Sequence, residues 1–206
     1  MYALHRCDDT ELAKARHVGR IHVLRVLDAP APLRRTRSVC EGLFVDVECF
    51  PIRAVTDFIL KRSEIDANRL AIGGISYGGL FACRAAAFDE RFKAVVSVSS
   101  WYTPAGRFPG MDPLSQTGLK QYMGDDPQSV QDSITMKGAA ERIKVPLLQI
   151  YGGLDKASPP EHAHRVAAEV KGPKTTLVFD DGVHVCNNLH HIVRPLIADW
   201  LAEQLK

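Results

Sequence analysis

The hexapeptide Gly74-Ile75-Ser76-Tyr77-Gly78-Gly79 constrains this chain more than any other stretch. It follows a short apolar run, Arg69-Leu70-Ala71-Ile72-Gly73, and leads into the helix-like Leu80-Phe81-Ala82-Cys83-Arg84-Ala85-Ala86-Ala87-Phe88. G-x-S-x-G between a strand and a helix is the setting of a nucleophilic serine. A serine hydroxyl is a poor nucleophile at neutral pH, so it needs a base to take its proton and a rigid perch. A sharp strand-to-helix turn supplies the perch, and the flanking glycines let the backbone pass close to itself. The competing reading is a glycine-rich turn with an incidental serine, and the rest of the chain decides between them.

Two further apolar runs end in polar residues of the right kind. Val145-Pro146-Leu147-Leu148-Gln149-Ile150-Tyr151-Gly152-Gly153 ends at Leu154-Asp155. Thr175-Thr176-Leu177-Val178-Phe179-Asp180 ends in the turn Asp181-Gly182-Val183-His184. Each polar residue sits just past the carboxyl end of a strand, the edge where active sites of open α/β sheets collect. Ser76, Asp155 and His184 also follow in the nucleophile–acid–base order of α/β-hydrolases. The candidate catalytic residues are therefore Ser76, Asp155 and His184, with the backbone N–H of Tyr77 as an oxyanion donor. Other readings compete. Asp155 is a capping candidate for a helix starting near Pro159-Pro160-Glu161. Asp180 and Asp181 are near enough in sequence to orient His184, although Asp181-Gly182 reads as a turn pair. A lone loop histidine is often structural.

The other histidines carry less. His162 and His164 are two apart on an expected helix and face different sides. His190 and His191 are adjacent, and His5, His17 and His22 are scattered. None has metal-ligand spacing, so no metal and no cofactor are expected. The five cysteines are odd in number and contain no C-x-x-C, which favours reduced thiols and a cytoplasmic setting over a disulfide framework. Cys186, two residues after His184, reads as a small packing residue. A net charge of +2 implies no nucleic-acid partner. The start lacks an apolar signal segment, and no run approaches the about 18 apolar residues of a membrane helix. The expected partner is a small-molecule substrate, with a homodimer as an option and no membrane.

At 206 residues with 46% hydrophobic composition, the chain can build one sizeable core. From about residue 50 strand-like and helix-like segments alternate, which implies a parallel sheet with helices on both faces. Residues 51–61 read as an amphipathic helix, 92–99 as a strand and 189–205 as a closing helix. The stretch from about 100 to 146 reads as a lid-like insertion with two or three short helices and another around Met136 to Ile143. Its Trp101, Tyr102, Phe108, Met111, Leu114 and Met123 either line an acyl or aryl pocket or pack the lid onto the core. Residues 1–44 form an atypical segment, with one strand-like stretch at 20–27 and a basic cluster at Arg34-Arg35-Thr36-Arg37. The organisation expected is thus an atypical segment 1–44 and a core 45–206.

Three stretches carry a family resemblance: Gly74 to Gly79 with its Arg84-Ala85-Ala86-Ala87-Phe88 tail, Tyr151-Gly152-Gly153-Leu154-Asp155, and Asp181-Gly182-Val183-His184-Val185-Cys186-Asn187-Asn188. Together they resemble the α/β-hydrolase group of 2,6-dihydroxypseudooxynicotine hydrolase and the fungal heptaketide-shortening pigment hydrolases. Prolyl-oligopeptidase-like and dienelactone-hydrolase-like enzymes share the pattern but match the last stretch less well. The resemblance covers roughly residues 45–206. It implies an α/β-hydrolase fold with a Ser76–His184–Asp155 triad. It also implies hydrolysis of a carbon–carbon bond beside a ketone, or of an ester, on an aromatic or polyketide-like substrate. Only 75 residues precede Ser76, and the family's loop for a second oxyanion N–H has no counterpart here, although residues 22–30 are faintly similar to the strand that follows it. The expectation is an N-terminally truncated hydrolase core with weak activity and an unpaired edge beside the nucleophile strand. The alternatives are a catalytically impaired fragment or pseudoenzyme, and an S9-type peptidase.

Overall fold

A computed structural model describes residues 50–206, apart from Glu64. The segment 1–44, with its strand-like stretch, its basic cluster and the stretch 22–30, lies outside the described residues. Four strands form one parallel sheet in the order β1-β2-β3-β4: β1 (Ala71–Ile75), β2 (Ala94–Val98), β3 (Leu147–Gly152) and β4 (Lys174–Phe179). The register sets Ile75 beside Val98, Val98 beside Ile150, and Gly152 beside Phe179. All four strands therefore end along one edge, and Ser76, Asp155 and His184 follow three of those ends.

The period of two along each strand sorts the core into two layers. Val95 and Leu147 face a cluster built from α2 (Tyr77–Phe88) and α5 (Glu161–Glu169), including Leu80, Cys83, Val166 and Val170. Val96, Val98, Leu148 and Ile150 face the opposite layer, closed by Val193, Leu196, Ile197 and Trp200 of α6 (His190–Gln204). Strand β2 is buried at every position and reads as a continuous apolar run, as a strand covered on both faces should. Full burial of each large aliphatic side chain here contributes about 1.5–3 kcal/mol. Helix α1 (Phe50–Ile59) packs its Ile52 beside Ile72, Ala85 and Phe92. Arg91 grips buried Asp89 with two prongs at 2.8 and 2.6 Å and also pairs with Asp57 of α1.

Among the described residues β1 pairs with β2 alone, and Ile75 is 59% exposed. The described helices include none long and apolar enough to cross a membrane.

Residues 99–146 hold α3 (Pro113–Met123) and α4 (Pro127–Ser133). Both start on Asp-Pro: the Asp112 and Asp126 side chains accept the N–H groups of Ser115 and Ser129, and proline occupies the first turn. The helix expected around Met136 to Ile143 is reduced to one 3-10 turn, Ala140–Arg142. Gly138 takes a left-handed φ of 75° there, which no helix accommodates. The closing helix expected over 189–205 is found as His190–Gln204, within one residue at each end. Residues 184–189 form a separate turn with Val185 and Cys186 at φ 55° and 52°.

Candidate active site

Ser76 sits between β1 and α2 at φ 55° and ψ −124°, a strained conformation for a residue with a side chain. Its N–H donates to the Val98 carbonyl at 2.8 Å, and its own carbonyl accepts from the Gly79 N–H at 3.0 Å. The turn is closed by absent side chains. A Cβ on Gly74 would lie 2.1 Å from the Gly78 carbonyl oxygen, and one on Gly79 would lie 2.9 Å from Ser97 Oγ and Ser100 Cβ. Gly78 needs no such allowance, because a Cβ there would meet nothing within 4 Å. The second glycine of the motif is thus not the tight one; its successor is. Tyr77 opens α2, where first-turn N–H groups point out of the helix end.

The loops carrying Asp155 and His184 are packed backbone to backbone. A Cβ on Gly152 would lie 2.3 Å from the Gly182 carbonyl oxygen, and one on Gly153 would lie 2.6 Å from that of Asp180. The N–H of Leu154 donates to the Gly182 carbonyl at 2.9 Å, tying the two loops together. Asn188 then closes the histidine loop on itself. Its amide donates to the Asp181 carbonyl at 2.8 Å and its oxygen accepts the Val183 N–H at 3.0 Å. Those contacts give a physical reason for the spacing of Asp181, Gly182, His184 and Asn188 in the last of the three sequence stretches.

Ser76, His184 and Asp155 come together. Ser76 Oγ lies 3.2 Å from His184 Nε2, and His184 Nδ1 lies 2.9 Å from Asp155 Oδ2. Asp155 is 3% exposed, and its Oδ1 also accepts the N–H groups of Ala157 and Ser158 at 2.9 and 2.8 Å. Asp155 therefore orients His184 and braces its own loop, but it does not cap α5, whose N-cap is Pro160 with no side-chain cap bond. Asp180 and Asp181 are exposed, and the carboxylate that His184 meets is that of Asp155.

Three groups of contacts around the site have no counterpart in the sequence reading. Ser99, at φ 47° just past β2, accepts the Val185 N–H on its Oγ at 3.0 Å, immediately after His184. Beneath the elbow, Ser97 Oγ donates to Ser100 Oγ at 2.6 Å, and Tyr151 and Ser158 hydroxyls donate to the Ser100 carbonyl at 2.7 and 2.6 Å. Gln131 of α4 donates its amide to the Tyr77 hydroxyl at 2.5 Å, so the β2–β3 insertion reaches the elbow. Burial pushes the Tyr77 phenol up to about 12, against the opposing pull of the Gln131 bond and of nearby Arg107. The available signal was three serines, 97, 99 and 100, closing an otherwise apolar strand.

Of the aromatic residues in the insertion, Trp101 borders the site. Its ring centroid is 4.5 Å from that of Tyr77 and 6.4 Å from the His184 imidazole. Its Nε1 donates to the Ala157 carbonyl at 2.8 Å, fixing the ring. Tyr102 and Met123 are buried in the core, whereas Leu114 is 80% exposed and lines nothing. His164, His190 and His191 are exposed and form none of the hydrogen bonds of the Ser76–His184–Asp155 line. Cys186 is buried, and burial, followed by the charges of Asp155 and Asp181, raises its thiol. A thiol so raised is a poor nucleophile. Among the described residues no group of three His, Cys, Asp or Glu side chains is placed to hold a metal ion.

Comparison with known proteins follows this geometry. The model of the prolyl oligopeptidase family, peptidase S9, matches residues 46–206. The chain is similar to the uncharacterized peptidase YuxL of Bacillus subtilis, 30% identical over 150 residues, which cover 68% of this chain and 22% of that protein. It is 42% identical over 66 residues to the alpha/beta hydrolase psoB of Aspergillus fumigatus, covering 30% of this chain and 14% of that one. Among solved structures, 2,6-dihydroxy-pseudo-oxynicotine hydrolase aligns with a TM-score of 0.69 at 24% identity, covering 79% of this chain and 49% of that one. The chain thus spans less than two thirds of each of these relatives. The sequence reading ranked prolyl-oligopeptidase-like enzymes lower on the Asp181–Asn188 stretch, yet the family model extends across it. With residues 46–206 matched, this chain has the α/β-hydrolase fold and belongs to the prolyl oligopeptidase family.

Proposed function

We propose that this chain carries the site of a serine hydrolase acting on a carbonyl substrate, within a core spanning 45–206 and with 100–146 as its lid-like insertion. One observation carries the reading: Ser76 Oγ, the two nitrogens of His184 and buried Asp155 form one unbroken hydrogen-bonded line. Asp155 accepts from Nδ1–H, which leaves the Nε2 lone pair facing the serine. Ser76 Oγ attacks the carbonyl carbon while its proton passes to His184 Nε2. The tetrahedral oxyanion is held by the N–H of Tyr77. Collapse breaks the bond to the leaving group, which takes the proton from His184. Water then attacks the acyl-serine, giving a proton to Nε2; collapse breaks the bond between Ser76 Oγ and the acyl carbon, Oγ takes that proton back, and the acid leaves. In this reading the bond broken is an ester or a carbon–carbon bond beside a ketone, and Trp101 and Tyr77 offer an aromatic wall to the substrate.

A second reading, cleavage of peptide amides, is favoured by the family match. The same steps apply with an amine as leaving group. The test is labelling of the purified chain by a fluorophosphonate with Ser76→Ala as control, followed by turnover of ester, ketone and short peptide amide panels. Labelling lost in the variant is the expected result. Equal labelling or turnover in Ser76→Ala sinks the mechanism, and a folded chain that never labels supports the impaired-site alternative.

A further inference from the structure

One cation beside this site has no role in the steps above. Arg107 lies in the β2–β3 insertion with its guanidinium 5.5 Å from the centre of the Trp101 ring. Trp101 is 4% exposed and locked by its bond to Ala157, so the seat beneath the guanidinium is rigid. The other neighbours of that ring are Tyr77 and His184. The guanidinium therefore stands one indole away from the imidazole that faces Ser76. Arg107 itself is half-buried and forms no ion pair with any described carboxylate. Three carboxylates on this side of the molecule already have partners. Asp155 serves His184 and two backbone N–H groups. Glu169 accepts the Tyr102 hydroxyl at 2.7 Å, and Asp132 accepts the Gly106 N–H at 2.8 Å.

A second donor flanks the same wall. His162 Nδ1 accepts the Tyr102 N–H at 3.2 Å, so the neutral ring carries its proton on Nε2. Burial, reinforced by Arg107 and Arg165, keeps the imidazolium form disfavoured; Glu161 and Asp155 pull weakly the other way. Arg165 is placed 4.0 Å over the Tyr102 ring and adds to the positive potential on this side. A cation without a carboxylate partner among the described residues, pre-set on a rigid aromatic face beside a nucleophile, is suited to anchor an anion.

We propose that Arg107 on its Trp101 seat binds a carboxylate carried by the substrate, making this site selective for carbonyl substrates that bear an acidic group about one aromatic ring away from the reacting carbon. The proposal rests on the serine-hydrolase reading for its chemistry, but the anchor itself is a binding site. A planar guanidinium receives a carboxylate through two parallel hydrogen bonds, which fixes orientation as well as affinity. A short dicarboxylic half-ester and an aromatic carboxylate are the simplest substrates that carry both a reacting carbonyl and such an acidic group.

The test compares 4-nitrophenyl hemiglutarate with the neutral 4-nitrophenyl hexanoate on the wild-type chain, Arg107→Gln and Arg107→Lys. The ratio of kcat/KM for the charged over the neutral ester is the readout, so general damage by a substitution cancels. The expected result is a ratio that falls about tenfold or more in Arg107→Gln, the usual loss for a charge-assisted hydrogen bond, and partly recovers in Arg107→Lys. An unchanged ratio in Arg107→Gln overturns the proposal while leaving the hydrolase reading standing. A wild-type chain that cleaves neither ester counts against the hydrolase reading instead. In that case tryptophan fluorescence is titrated with phenylacetate and with phenylacetamide. Saturable quenching by phenylacetate that disappears in Arg107→Gln supports the anchor, and its absence in the wild-type chain overturns it.

Discussion

The glycines of the elbow are unequal, and their inequality is measurable. A methyl group at position 74 would sit 2.1 Å from the Gly78 carbonyl oxygen, 2.2 Å from its carbon and 2.7 Å from the Gly79 nitrogen. Real Cβ contacts stay above 3.0 Å, and all three obstacles are backbone, so no side chain can rotate away. The 78–79 peptide must retreat by about 1 Å, and overpacking of this kind typically costs about 1–3 kcal/mol. At position 79 the nearest atoms are Ser100 Cβ and Ser97 Oγ at 2.9 Å, so Gly79→Ala disturbs side chains more than backbone. At position 78 nothing lies within 4 Å, and helical Gly→Ala is favourable by up to about 1 kcal/mol.

The retreating peptide is one residue from Tyr77 and two from Ser76, so the displacement falls on the 3.2 Å contact between Ser76 and His184. Misplacement by about 1 Å costs on the order of 100-fold in rate. The expected order of urea midpoints is Gly78→Ala at or above wild type, then Gly79→Ala, then Gly74→Ala. The last should lie on the order of 1 M below wild type. Fluorophosphonate labelling rates should follow the same order, with Gly74→Ala about 100-fold slow. The steric argument is refuted if Gly78→Ala loses as much as Gly74→Ala, or if Gly74→Ala labels at the wild-type rate.

Other outcomes follow from single contacts. Ser99→Ala removes the acceptor of the Val185 N–H, and losing such a bond costs about 1–3 kcal/mol. Labelling should slow about tenfold or more, and an unchanged rate would show that the histidine loop holds its place without Ser99. Asp155→Asn keeps the shape but favours the wrong histidine tautomer, so turnover should fall by about 10⁴-fold where removal of an unrelated carboxylate does nothing. Asp89 is held below the usual carboxylate range: burial opposes its charge, but the hydrogen bonds from Arg91 outweigh that opposition. Its contribution to stability is present above the unfolded value of about 3.9 and is lost as pH falls through the lower folded value. Asp89→Asn should therefore cost about 1–2 kcal/mol at pH 7, with the difference shrinking below about pH 4 in urea titrations. A difference that stays constant down to pH 2 would refute that assignment.

What could be read from the letters, and what could not, divides along physical lines. Strands β2 and β3 were legible because a parallel strand covered on both faces needs an uninterrupted apolar run, and both stretches have one. The turn at Ala140–Arg142 was misjudged because periodicity registers apolar spacing, whereas Gly138 at φ 75° acts through the backbone. Ser76, Asp155 and His184 stood out because each is a polar residue at the end of an apolar run. Their meeting follows from a parallel register that ends three strands at one edge. Ser99 and Gln131 were hidden for a different reason. Ser99 matters through a hydrogen bond to a residue 86 positions away, and Gln131 through one to a residue 54 positions away. No local pattern encodes such pairings. Arg107 belongs with them. In sequence it is one arginine among 26 basic residues, and only its seat on Trp101 separates it from a solvated surface charge. The residues of the hydrogen-bonded line are set by strand ends and are readable, whereas the residues that shape selectivity are set by where an irregular insertion folds back. Variation of residues 99–146 on a constant sheet should therefore change the substrate before it changes the chemistry.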